Sequence, residues 1–170
     1  MSSLRAYLDI ETTGLSPEYS YITVVGIYME NEEEERFIQL IGKEISAYNL
    51  LYVMKDVKEL YTYNGSRFDL PFIKSKLDID LNDFFYHTDL MYLCWKNGLY
   101  GGLKVVEKKL GIERRLKEID GRMAVELWYR YISHNDMNAL YLLLEYNKED
   151  VLNLKILREK LYLLENELCP

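Results

Sequence analysis

Cysteine and histidine are scarce in this chain of 170 residues, which holds only Cys94 and Cys169 and only two histidines. Neither cysteine has a second Cys or a His at metal-ligand spacing, so neither a disulfide framework nor a zinc site is indicated and two plain thiols are expected. Three prolines and nine glycines, scattered rather than clustered, leave no linker to divide the chain, and there is no internal repeat or low-complexity segment. One domain over residues 1–170 is expected, with 49% hydrophobic and 29% charged residues typical of a globular protein with a core. Long apolar runs are missing too, and MSSLRAYLDIE enters a strand without the basic and apolar regions of a signal peptide. No membrane contact and a cytoplasmic location are therefore expected.

Positive charge is in the minority, with 21 Lys and Arg against 28 Asp and Glu and a net charge of −7. That balance argues against wrapping long stretches of nucleic acid, where affinity comes mostly from Lys and Arg on phosphates. The charge is unevenly spread. Glu30 to Glu35 reads as a solvated hairpin tip, whereas Lys104 to Arg122 contains Lys104, Lys108, Lys109, Arg114, Arg115, Lys117 and Arg122. A local basic surface and an unpartnered exposed face fit this stretch equally well.

What the chain does have is a pair of acids at the end of a strand. Leading into and through the segment YLDIETTGL from Tyr7, the residues Leu4, Ala6, Leu8 and Ile10 alternate with Arg5, Tyr7, Asp9 and Glu11. A period of two aims Asp9 and Glu11 from one face as neighbours. Two adjacent, partly desolvated anions repel, so such a pair shares either a proton or a cation.

Tyr21–Met29 and Arg36–Ile41 read as further strands, completing a three-stranded meander. A helix over Glu44–Lys55, a strand over Glu59–Tyr63, a helix over Leu70–Leu77 and a strand over Phe84–Thr88 follow. The rest is helical. Leu103, Val106 and Leu110 share a face ended by Gly111, Met123, Leu127, Trp128 and Tyr131 line the next helix, and Asn135 or Asp136 caps the last. This order describes an α/β fold, a five-stranded mixed sheet flanked by helices with the first strand central. A central strand has both faces covered, so Asp9 is not excused as an edge residue.

Two further acids attract attention. Asp69, in YNGSRFDLPF, precedes Pro71 and makes a good helix N-cap, but a residue after the carboxyl end of a neighbouring strand also converges on the crevice Glu11 faces. In EYNKEDV, Tyr146 and Asp150 are four residues apart on one helix face, beside a stripe of Leu140, Leu143, Leu144, Asn147 and Val151.

Asp9-Ile-Glu11-Thr12-Thr13-Gly14, then Asn64 with Phe68-Asp69, then Tyr146-x-x-x-Asp150 resemble the three motifs of the DEDD exonuclease superfamily on the ribonuclease H-like fold. The tyrosine branch is the one resembled, since the histidine branch would place His where Glu145 stands. TYNGSRFDLPF, HTDLM from His87, LKVVEKKLGI and YNKEDVLNL are similar to successive blocks of the YprB-like ribonuclease H-like family, over nearly the whole chain.

The resemblance implies a 3′–5′ exonuclease acting on DNA or RNA with a free 3′ end, through two divalent ions, Mg²⁺ or Mn²⁺. Asp9 would bridge the ions, Glu11 and Asp150 would complete one, and Asp69 would act on the other through water. A carboxylate cluster free of nearby cationic groups suits such hard ions. Tyr146 would orient the attacking water or help deprotonate it. Thr12, Thr13, Leu15 and Asn64 stand where related enzymes contact the terminal nucleotide. His87 and Asp89 are expected to be structural, with Asp89 capping the helix that follows. An endonuclease of the same fold and a catalytically silent nucleic-acid-binding module are the alternatives.

Overall fold

The computed structural model describes residues 3–167, so Cys169 lies outside the described residues. Five strands form one sheet: β1 (Leu4–Thr12), β2 (Ile22–Glu30), β3 (Glu35–Ile41), β4 (Val57–Thr62) and β5 (Tyr86–Asp89). Their order is β3-β2-β1-β4-β5, with β1 antiparallel to β2 and parallel to β4. The sheet is mixed and β1 is central, as the meander followed by crossovers requires.

The helices are α1 (Ala47–Val53), α2 (Asp69–Leu77), α3 (Leu90–Lys96), α4 (Leu103–Lys109), α5 (Gly121–His134) and α6 (Met137–Glu167). The alternation in β1 sorts its side chains as expected. Leu4, Ala6, Leu8 and Ile10 pack with Leu50, Met54, Phe72 and Ile73 on one face. Tyr7 packs on the other, with Leu90, Val106, Val151, Leu154 and Leu157 beneath α3, α4 and α6. Asp9 and Glu11 belong to this second face, under α6, whose Leu140, Leu143 and Tyr146 join Leu127 and Trp128 of α5 in a third cluster.

Several boundaries differ from expectation. The segment expected to be helical over Glu44–Lys55 is a 3₁₀ turn at Gly42–Glu44 and a shorter α1, because the Ser46 hydroxyl accepts from the Asn49 amide and starts the helix there. The cap of the last helix agrees with expectation: the Asp136 carboxylate accepts from the Ala139 amide and opens α6, while Asn135, at φ 53°, ends α5 in the left-handed region. Met123 is 39% exposed; Ala124 takes the inward position instead.

Candidate metal centre

Two irregularities of β1 and one glycine of β2 build the site. The parallel ladder to β4 ends at Tyr7↔Tyr61, so the later amides of β1 lack a strand partner on that side. The Asp69 carboxylate fills that gap by accepting from the Ile10 amide at 3.1 Å. Asp69 is therefore not the helix N-cap its spacing also allowed: Phe68 occupies the cap, and Asp69, 4% exposed, is the first residue of α2. On the opposite side the register with β2 slips between Glu11 and Thr12, a bulge that bends the strand where it delivers Glu11. Finally, Asp9 lies opposite Gly26 of β2, whose missing side chain lets α6 come close.

Asn147 of α6 occupies that opening. Its amide donates to the carbonyl and the carboxylate of Asp9, both at 3.2 Å, and its oxygen accepts from Gln39 at 2.9 Å. With Asn147 seated, Tyr146 and Asp150 face β1. One carboxylate oxygen each from Asp9, Glu11 and Asp150 then lie within 4.8 Å of one another. All four acids named by the sequence motifs thus converge, with Asp69 held just outside the group of three.

Burial and mutual repulsion act on them together. Asp9 and Glu11 are held well above the usual carboxylate range, first by burial and then by the charge of Asp150. Burial likewise pushes Asp69 up to about 7, against the lowering effect of the Ile10 amide. Asp150 reaches only about 6, because Arg114 offsets part of the burial cost. Burial raises the Tyr146 phenol, which stays neutral over the ordinary pH range.

Hard oxygen donors converging without enough counter-charge fit an oxygen-seeking divalent cation, Mg²⁺ or Mn²⁺, better than a zinc or copper ion. The cluster is not free of cationic groups, however, and the expectation that it would be is corrected. Arg114 bonds Asp150 at 2.5 Å, and the Lys104 ammonium lies 5.1 Å from the centre of the Tyr146 ring. Both come from the α4–α5 region that read as a basic surface, yet Arg114 is buried and Lys104 donates to the Ile119 carbonyl. Sequence spacing carried no signal for them, nor for Asn147, whose apolar neighbours made it look like packing.

Two open clefts meet at the acids. One, of about 440 Å³, is lined by Thr12, Leu15, Phe68, Arg122 and Val125; the other, of about 350 Å³, by Tyr63, Gly102, Lys104 and Asp120. Asp9, Gly121, Tyr146 and Asp150 border both. Leu15 is 86% exposed at the rim. Thr13 and Asn64 line neither cleft. The Thr13 backbone and hydroxyl pair with Tyr21 to close the β1–β2 turn, and Asn64, at φ 59°, donates its amide to Asp89. Asp89 also accepts from the Ser66 and Met91 amides, capping α3 as expected, and His87 bonds Thr62 at 2.8 Å.

Comparison with known proteins gives consistent results. The RNase_H_2 family model, of the RNase_H superfamily, matches residues 6–162. YprB of Bacillus subtilis (strain 168) is 30% identical over 163 residues, covering 87% of this chain and 39% of YprB, so the chain spans about two fifths of that relative. Among solved structures, the family B DNA polymerase from Pyrobaculum calidifontis superposes with a TM-score of 0.73 at 18% identity, covering 95% of this chain and 25% of the polymerase. Brucella melitensis NrnC bound to pGG superposes with a TM-score of 0.63 at 20% identity, covering 96% and 74%. At these identities the structural likeness is one of fold.

Proposed function

Because the chain belongs to the RNase_H superfamily, we propose that it is a metal-dependent 3′–5′ exonuclease hydrolysing phosphodiester bonds of single-stranded nucleic acid. The observation that carries this reading is the convergence of Asp9, Glu11 and Asp150 within 4.8 Å, with Asp69 and Tyr146 beside them at the meeting of two clefts. That NrnC was solved bound to pGG supports a nucleic-acid ligand for the shared fold. The polarity rests only on the resemblance of the three acidic motifs to those of the DEDD exonucleases.

Asp9, Glu11 and Asp150 would hold a divalent ion, Mg²⁺ or Mn²⁺, and Asp69 would serve a second through water. Ions so held supply an activated water and stabilise the leaving 3′ oxygen of an in-line displacement. The chain's own contribution is orientation. Tyr146, whose hydroxyl has no hydrogen bond among the described residues, is free to bond the attacking water, and its neutral phenol makes it an orienting group rather than a base. Leu15 and Thr12, at the rim of the larger cleft, would meet the terminal nucleotide. Thr13 and Asn64 would contribute through the loops they shape.

Incubating the protein and Mn²⁺ with end-labelled single-stranded DNA and RNA tests the reading. Stepwise loss of nucleotides from the 3′ end, slowed by a terminal phosphorothioate, is the expected result. Equal cleavage of a covalently closed strand would replace it with an endonuclease, and absence of hydrolysis with tight strand binding would replace it with a binding module.

A further inference from the structure

The α4–α5 connection turns back at Gly111, at φ 65°, and buries Ile112 and Arg114 against α6. Arg114 is 7% exposed. Glu107 of α4 grips its guanidinium with both oxygens, at 2.8 and 2.7 Å, and is itself held by Asn153 of α6 at 3.0 Å. Glu149 secures the same loop by its backbone, accepting from the amides of Arg115 at 2.6 Å and Leu116 at 3.0 Å. Those contacts tie the loop to α6, and none of them involves Asp9, Glu11, Asp150 or Tyr146.

One more contact does. The same terminal nitrogen that bonds Glu107 reaches Asp150 Oδ1 at 2.5 Å, and the guanidinium carbon lies 5.9 Å from the centre of the Tyr146 ring. Arg114 therefore touches both of the residues that α6 brings to the site. It also sets a full positive charge against a group suited to bind a cation. If Arg114 served the loop alone, this contact would only weaken the site.

We propose that Arg114 is the positioning residue of the centre: it occupies Asp150 Oδ1, leaves the other oxygen as the single ligand atom Asp150 offers, and gives up metal affinity for a fixed carboxylate and a fixed Tyr146 ring. The inference rests on the reading that Asp9, Glu11 and Asp150 hold a divalent ion. It predicts that affinity rises while rate falls when the charge of Arg114 is removed, which loss of fold does not produce.

The test uses Mn²⁺ alone as the calorimetric probe and single-turnover hydrolysis of a labelled strand as the rate. Arg114→Met keeps the stem and removes the charge. Mn²⁺ should then bind about 10- to 100-fold tighter, as removal of a unit charge a few ångströms away implies, while the rate falls about 10²-fold. Arg114→Lys keeps the charge but not the fork, so affinity should stay within about 3-fold of wild type and the rate should fall at least about 10-fold. Unchanged affinity and rate in Arg114→Met, or a joint fall of both in a variant that melts like wild type, overturns the proposal. A crystal structure of the wild type with Mn²⁺ decides the case even where the variants fail to fold. Asp150 bound through one oxygen with the other on Arg114 supports the proposal, and a bidentate Asp150 overturns it. If the wild type binds Mn²⁺ and hydrolyses the strand while Arg114 proves indifferent, only this inference falls; if the wild type does neither, the metal reading falls and takes the inference with it.

Discussion

Gly26→Ala tests how the sheet and α6 are fitted together around Asp9. A Cβ at Gly26 would stand 2.2 Å from Asn147 Oδ1, 2.9 Å from its Cγ and 2.9 Å from Val151 Cγ2. Ordinary contacts between such atoms need about 3.5 Å, so Asn147 must retreat by about 1 Å and Val151 by about 0.5 Å. Asn147 is fully buried between Asp9 and Gln39, bonded to both. Overpacking of this kind costs about 1–3 kcal/mol, and loosening the two bonds to Asp9 adds about 1 kcal/mol. The reduced freedom of the unfolded chain returns about 0.5–1 kcal/mol. The net expectation is a loss of about 2 kcal/mol, read as a shift in urea midpoint without a change in m, and a fall in Tm of about 4–8 °C for a chain of this size. Hydrolysis should slow by about 10-fold or more, since Asp9 moves with its partner. The decisive measurement is the double variant with Asn147→Ala, which removes the clashing atoms. It should be more stable than the sum of the single changes by about 1 kcal/mol or more. A Gly26→Ala protein within about 0.5 kcal/mol of wild type, or strict additivity with Asn147→Ala, would refute the packing argument.

The acids make stability depend on pH in a defined direction. Their folded pKa values lie above the ordinary 3.8, at about 7 for Asp69 and about 6 for Asp150, so the folded state holds protons that the unfolded chain releases. That stabilisation is complete below about pH 4 and lost as pH rises through about 6 to 7; metal-free Tm should fall over that window, and saturating Mn²⁺ should remove most of the fall. A flat metal-free profile would count against the cluster. Asp150→Asn should abolish turnover and weaken Mn²⁺ binding, whereas Tyr146→Phe should leave Mn²⁺ affinity and Tm near wild type while kcat drops by about 10² to 10⁴; a Phe variant as fast as wild type reduces Tyr146 to packing. Leu15→Ala, at an 86% exposed position, should leave stability within about 0.5 kcal/mol and raise KM for the strand, and an unchanged KM would remove Leu15 from the substrate contact.

The fold was legible where one periodicity dominated. The alternation in β1 sorts Leu4, Ala6, Leu8 and Ile10 from Tyr7, Asp9 and Glu11, and the structure covers each set with a different layer of helices. The element order was enough to make β1 central. Boundaries were less legible because turn residues compete locally. Ser46 interrupts a pattern that could have run on, by a side-chain cap, whereas the break at Asn135 and Asp136 was legible as a helix cap. Met123 and Ala124 exchanged places because a shift of one residue turns a helix by about 100°, and both residues suit an apolar face.

The acids could be found for the same reason that Arg114 could not. Asp9 and Glu11 are related by the repeat of one strand, and Tyr146 and Asp150 by one turn of one helix, so each pair is geometrically fixed before any tertiary contact forms. Arg114 reaches Asp150 across 36 positions of sequence, from a loop whose path depends on Gly111, Glu107 and Glu149 acting together. Nothing in the run from Lys104 to Arg122 separates the one arginine that turns inward from the cations that stay at the surface. Asp69 is intermediate: its place beside a helix start is local, but its choice between capping α2 and bonding the Ile10 amide depends on where the β1–β4 ladder stops. Because that ladder ends before Asp9, the strand has an amide without a strand partner, and Asp69 takes it. The feature that draws Asp69 to the site is thus a property of the sheet, and it acts on the same stretch of β1 that carries Asp9 and Glu11.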